Sequence, residues 1–192
     1  MKHKTSLNRE LVFKAASELA EEVGLDHIEL KQLAAKLNIR PPSLYNHISG
    51  LDEVYKGIAT LSMQRLEDVI RDAAMGKAKE DALLEIAFAY RKFAKEHPEL
   101  YKSIMKAPSI ENDEVREAKL SVVYSICKVL NPYHLEDEDT IHFVREFRSL
   151  LHGFVSLEEA GFFKVGYDIE KSYLRAVKNT IAAIDKLEEN DD

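Results

Sequence analysis

The sequence predicts an all-α protein of about nine helices. Three observations carry this. Glycine and proline are sparse and evenly scattered, 7 and 5 in 192 residues. No strand-like alternation of any length occurs. Apolar residues instead recur at helical spacing along nearly the whole chain.

The first helix is expected from about Leu7 to Val23, with Leu7, Leu11, Ala15, Leu19 and Val23 on one face and Gly24 ending it. Ile28, Leu33, Ala34 and Leu37 line one face of a second helix. With Glu29 as its N-cap, Ile28 and Leu33 are spaced for a hydrophobic staple, and Gln32 falls where a capping box takes Glu or Gln. Leu37-Asn38-Ile39 breaks that helix, because Asn tolerates the left-handed backbone of a helix end. Ile39, apolar within a turn, plugs the gap between helices. A third helix starts near Pro41 or Pro42, since proline is favoured in a first turn. Its Leu44 and Ile48 face inward.

A long fourth helix spans roughly Leu51–Met75, carrying Val54, Ile58, Leu61, Leu66, Val69 and Ile70, and Gly76-Lys77 breaks it. The fifth covers Glu80–Glu96 before His97-Pro98. A short sixth covers Glu99–Met105 before Lys106-Ala107-Pro108. The seventh runs Asp113–Leu130 and closes at Asn131-Pro132. The acidic run Glu136-Asp137-Glu138-Asp139 precedes an eighth, Thr140–Gly161, whose N-terminus it favours electrostatically. The ninth runs from Asp168 to about Leu187, and Glu188-Glu189-Asn190-Asp191-Asp192 reads as a frayed tail.

Composition narrows the class. With 45% hydrophobic and 32% charged residues the chain reads as a soluble globular protein. No apolar run approaches a membrane span. Met1-Lys2-His3-Lys4-Thr5 lacks the apolar core of a signal peptide. A single cysteine, Cys127, excludes an internal disulfide framework and suits a reducing cytoplasm; its neighbours Val123, Ile126 and Val129 mark a structural thiol. No cofactor or metal is implied. There is no Gly-rich phosphate loop, His-Glu-x-x-His, Cys pair or Gly-x-Ser-x-Gly, and nothing pairs a nucleophile with a base. His142 and His152 lie ten apart, without a Glu-x-x-His to support them. No enzyme is expected.

The informative stretch is residues 28–48. Two short helices joined by a tight turn present Ser43, Tyr45, Asn46 and His47 on the outer side, with Arg40, Pro41 and Pro42 at the helix start. A short helix entering the major groove offers its first residues to base edges and phosphates. Ser, Tyr, Asn and His donate to phosphate oxygens, Asn also pairs with adenine, and Arg40 can reach guanine or phosphate. Double-stranded DNA is the partner this pattern points to. The same spacing also serves as a plain helical corner. The net charge of −7 opposes DNA, but residues 1–50 carry seven basic against six acidic side chains, so the deficit lies elsewhere.

From Leu11 to about Ile58 the chain resembles the TetR family of transcriptional regulators. The match rests on Gly24, Leu33-Ala34-Ala35-Lys36-Leu37, Pro42-Ser43-Leu44-Tyr45-Asn46-His47-Ile48 and Leu51-Asp52-Glu53-Val54. The resemblance implies phosphate contacts by Tyr45 and His47, with Ser43 beside them. A second segment, Phe147-Arg148-Ser149-Leu150-Leu151-His152-Gly153 through Phe163, resembles the WHG-type ligand-binding domain, with Leu151 where that subgroup often has Trp. Two positions depart from the family. Glu29 stands where many members carry Ser or Thr, and Leu51 where many carry Lys. Lys31 and Lys2-His3-Lys4 are the natural substitutes. These departures keep open a second reading, a helical ligand-binding or adaptor protein that has lost DNA affinity.

The family plan implies a DNA-binding domain over 1–52 and a ligand-binding and dimerisation domain over 53–192, joined through the fourth helix as a rigid lever. It also implies a homodimer through the last two helices. Phe143, Leu150, Phe154, Tyr173, Val177, Ile181 and Ile184 are the candidate interface residues, on helices whose broad apolar surface needs more than one burial partner. The alternative is that the eighth helix is simply central within one subunit. Tyr90, Phe93, Tyr101, Met105, Tyr124, Phe147, Arg148 and His152 are candidate walls of an effector pocket, which their apolar character fits to a hydrophobic or aromatic molecule. Each could equally be core packing, and His152 a core histidine bonded to a carbonyl.

Overall fold

The structure, a computed structural model, describes residues 7–107 and 112–188. Lys2-His3-Lys4, the break at Pro108 and the tail 189–192 lie outside the described residues. Nine α-helices and no strand occur among those described. They are α1 (Arg9–Val23), α2 (Leu30–Lys36), α3 (Pro41–Leu44), α4 (Leu51–Ala74), α5 (Lys79–Glu96), α6 (Pro98–Lys106), α7 (Asp113–Leu130), α8 (Asp137–Glu159) and α9 (Ile169–Glu188). The chain packs as two compact units.

The first unit takes the chain through residue 65 together with 97–119. Asn8 caps α1, its side chain accepting the Leu11 N–H at 2.8 Å. Val12, Phe13, Ala15, Ala16, Leu19 and Ala20 form the buried face of α1. Gly24 ends it at φ +91°, a conformation other residues rarely adopt. α6 packs on α1 and on the short turn Leu25–His27 that follows it. Three contacts fix this. Glu99 accepts the Leu25 N–H at 2.7 Å. The Asp26 carboxylate, bonded by Lys106 and by Lys102, is held down at a pKa of about 2. Ser103 donates to the buried Ser62 hydroxyl at 2.9 Å.

The second unit holds 66–96 and the chain from 120 onward. α5, α8 and α9 pack on one another. Phe147, Leu151 and Tyr173 are fully buried, and the Tyr173 hydroxyl donates to the Ala87 carbonyl at 2.6 Å. Arg91 of α5 is also buried. It makes two 2.7 Å bonds to Glu158 of α8 and a 3.2 Å bond to Glu170 of α9, and lies 5.1 Å from the Tyr173 ring centroid.

α8 begins at Asp137, three residues before the expected Thr140. The acidic run therefore forms its first turn instead of preceding it, which is where the helix dipole favours negative charge. At the other end Gly161, at φ +73°, closes a Schellman cap: its N–H bonds the Glu158 carbonyl and that of Phe162 bonds Leu157, both at 3.0 Å.

Candidate nucleic-acid interface

α2 begins as its sequence predicts. Gln32 Oε1 accepts the Glu29 backbone N–H at 3.0 Å, one arm of the capping box, and Ile28 and Leu33 are buried as the staple requires. Its end is a full Schellman cap. Asn38 sits at φ +54°, its N–H bonds Ala35 O, and Ile39 N–H bonds Ala34 O, each at 3.0 Å. Arg40 is extended and α3 starts with both prolines in its first turn.

α3 is shorter than the periodicity predicts. Regular helix stops at Leu44, and Tyr45-Asn46-His47 continue as tightened turns. The Leu44 carbonyl accepts both His47 N–H at 2.8 Å and Ile48 N–H at 3.0 Å. This shared acceptor keeps the four-residue register, so Leu44 and Ile48 are both buried although the helix has ended.

The outward side is as read from sequence. Tyr45 is 60% exposed. Lys31, Arg40, Pro41, Pro42 and Asn46 are exposed, and Ser43 and His47 are half-buried. Lys36, by contrast, is engaged by Glu22 at 2.7 Å and Glu18 at 3.4 Å, which push its pKa up. Glu29 is exposed at the α2 N-terminus.

A support behind this face was missed. Glu53 of α4 accepts the Ser49 backbone N–H at 2.7 Å and the Ser49 hydroxyl at 2.8 Å, and pairs with Arg9 of α1 at 2.8 Å. The Ser49 bonds, then Arg9, hold the Glu53 carboxyl below its usual range. A second bond from Arg9, at 2.9 Å, reaches Glu114 of α7. The signal was present: a serine shortly before an apolar-periodic helix with an acidic first turn.

The effector candidates do not form one group. Tyr101 and Met105 belong to the first unit, and Tyr90, Phe93, Phe147, Arg148 and His152 to the second. Tyr90, Phe93, Tyr101 and Phe147 are buried. Tyr124 is a correction: it is 61% exposed, beside Lys128, because it lies on the solvent side of α7, and it walls no cavity. His152 is half-buried with Nδ1 3.4 Å from Ser156 Oγ; burial and then the Arg148 charge lower its pKa. Of the interface candidates, Phe143, Tyr173, Val177, Ile181 and Ile184 are buried inside the single chain, as a central position of these helices requires. Their side chains are therefore corrected to protomer core. Leu150 and Phe154 remain half-buried, and Leu157 is exposed beside them. Among the described residues no group of three His, Cys, Asp or Glu is arranged to hold a metal, and no helix is long and apolar enough to cross a membrane.

Residues 83–180 match the family model described as tetracyclin repressor-like, C-terminal domain, which includes the Phe147–Phe163 segment. A Bacillus subtilis (strain 168) protein described as an uncharacterized HTH-type transcriptional regulator, YobS, is 30% identical over 184 residues, 96% of each chain. The chain belongs to the TetR family. It is a TetR-like transcriptional regulator, and its all-helical organisation is the TetR fold. The tetracycline repressor protein class D of Escherichia coli is 35% identical over 86 residues, 45% of this chain and 39% of that one. Among solved structures, the transcriptional regulator SCO7222, a TetR from Streptomyces coelicolor, has a TM-score of 0.78 at 16% identity, over 95% of this chain and 99% of that one. A TetR from Acinetobacter baumannii AYE in complex with minocycline has a TM-score of 0.70 at 18% identity, over 95% and 99% of the two chains.

Proposed function

We propose that this TetR-family chain is a ligand-responsive repressor, which binds a palindromic operator as a homodimer in the cytoplasm and is released by a small, mostly apolar molecule. Residues 1–52 supply the DNA-binding part and 53–192 the effector and dimer part. The observation that carries the reading is the α2–α3 unit. Leu44 and Ile48 lock a short helix and its turn into the core and leave Arg40, Ser43, Tyr45, Asn46 and His47 on one accessible side. That is the arrangement a major-groove probe needs. Dimerisation through the outer sides of α8 and α9, around Leu150, Phe154 and Leu157, would set two probes about one DNA turn apart. An effector that prefers one body conformation shifts DNA affinity by that preference alone.

Selection of genomic fragments by the purified dimer at low salt is the test. An enriched palindrome is expected, and no enrichment with folded dimer would reject the reading. Tyr45→Phe and His47→Ala each weaken binding about 10-fold on every sequence, the worth of one hydrogen bond to a charged phosphate. Asn46→Ala and Arg40→Ala relax base preference instead. Glu29, exposed at the α2 N-terminus where its charge repels phosphate, favours the adaptor reading. The salt dependence separates the two: each phosphate neutralised adds about 0.9 to the slope of log affinity against log salt, and a slope near zero favours the adaptor.

A further inference from the structure

We propose a second ligand site, within the first compact unit, that takes a small organic cation with an apolar body. A cleft of about 370 Å³ opens between α1, α4 and the start of α7, lined by Arg9, Glu10, Phe13, Gly57, Thr60, Leu61, Gln64 and Glu114. All eight belong to that unit. The Phe13 ring and Leu61 give it apolar walls, suited to an aromatic or short aliphatic group. The Thr60 hydroxyl is buried and has no hydrogen-bond partner, an uncommon state for a polar atom and one that marks a place for a donor or acceptor.

Charge decides the class of occupant. The lining carries two carboxylates, Glu10 and Glu114, against one cation, Arg9. Arg9 is already held by Glu53 at 2.8 Å and Glu114 at 2.9 Å. An incoming anion would meet a neutralised guanidinium and two carboxylates. An ammonium would meet the two carboxylates, with an N–H left for Thr60. The fit is an aryl-alkyl ammonium: ring against Phe13 and Leu61, charge between Glu10 and Glu114.

Occupancy would be felt beyond the cleft. The cation competes with Arg9 for Glu114, while Arg9 also holds Glu53, and Glu53 holds the Ser49 N–H and hydroxyl just past the α3 turn. Ser49 does not line the cleft, so a response there reports transmission along this chain of bonds.

The test is an NMR titration of the ¹⁵N-labelled full chain, without DNA, so its result is independent of whether the chain is a repressor. The probe is 2-phenylethylammonium and the control is 3-phenylpropionate, of similar shape and opposite charge. Saturable shifts at the Gly57, Thr60, Leu61 and Ser49 amides are expected with the ammonium, and at least 10-fold weaker binding with the carboxylate. Leu61→Arg, which fills the cleft and adds positive charge, abolishes the shifts. Glu10→Gln and Glu114→Gln each weaken the ammonium at least 3-fold. The wild-type spectrum serves as the reference for folding of every variant. No saturable shift at the cleft amides, equal affinity for the two probes, or undiminished binding by a folded Leu61→Arg variant would each overturn the site.

Discussion

Arg91→Ala lowers the unfolding free energy by about 3–5 kcal/mol, the usual cost of removing one partner from a buried ion pair. The side chain of Arg91 is 9% exposed and that of Glu158 14%, so the truncated variant leaves a carboxylate largely cut off from water. Lys95, 3.2 Å from the same carboxylate but 57% exposed, replaces little of the loss. The Tyr173 ring loses the guanidinium beside it. Urea denaturation gives the measurement, with the midpoint falling and the slope unchanged. The pair should matter as a pair. Arg91→Met combined with Glu158→Leu recovers at least half of the loss, because apolar groups of similar volume replace a buried ion pair at little cost. If the double variant is as unstable as the single one, the network does more than neutralise charge.

The same network gives a pH dependence. The Arg91 bonds hold the Glu158 carboxyl below its ordinary range. A carboxyl depressed in the folded state contributes fully above its unfolded pKa, about 4.3, and loses that contribution as pH falls through the folded value. Arg91 is shifted upward from a value already above any working pH, so it adds nothing to the titration. Wild-type stability should fall below about pH 4.3, more steeply than that of Arg91→Ala over the same window.

How legible this was depends on the residue. Helix existence was readable because the signals are local: Asn38 takes the left-handed position its side chain tolerates, the two prolines open α3, and Gly161 closes α8. The length of α3 was not, because four-residue spacing of Leu44 and Ile48 is satisfied equally by a helix and by a turn that shares one carbonyl. Nor could periodicity say which neighbour covers an apolar stripe. Tyr173, Val177, Ile181 and Ile184 read the same whether they face α5 and α8 or a second chain, and the structure buries them within one. Arg91 was legible and overlooked. It falls four residues after Ala87 and eight after Leu83, on the buried stripe of α5, where a charge demands a buried counter-charge. The outward set Arg40, Ser43, Tyr45, Asn46 and His47 was legible because two inward anchors in one short segment leave the rest no other side.

Gly57→Ala carries the second large effect, and its sign opposes helix propensity. Gly57 lies inside α4, where alanine alone would add about 1 kcal/mol. A Cβ there would land inside van der Waals distance of Cγ, Cδ1 and Cδ2 of the Phe13 ring. These atoms are not the free end of a flexible chain. Phe13 is buried in α1, and Arg9, fixed by Glu53 and Glu114, lies 4.9 Å from its ring centroid. Either α1 moves off α4 or the ring leaves its rotamer, and overpacking of this kind costs about 1–3 kcal/mol. The expected net result is a lower thermal midpoint. Phe13→Leu alone also destabilises, by loss of buried ring area, but it makes room for the methyl group. The combination of Phe13→Leu with Gly57→Ala should therefore be more stable than the sum of the two changes predicts, by about 1 kcal/mol or more. That coupling separates a steric cause from a merely local loss of order: strictly additive effects, or a thermal midpoint raised by Gly57→Ala, would mean that the ring gives way freely and that the close approach of α1 to α4 does not need the glycine.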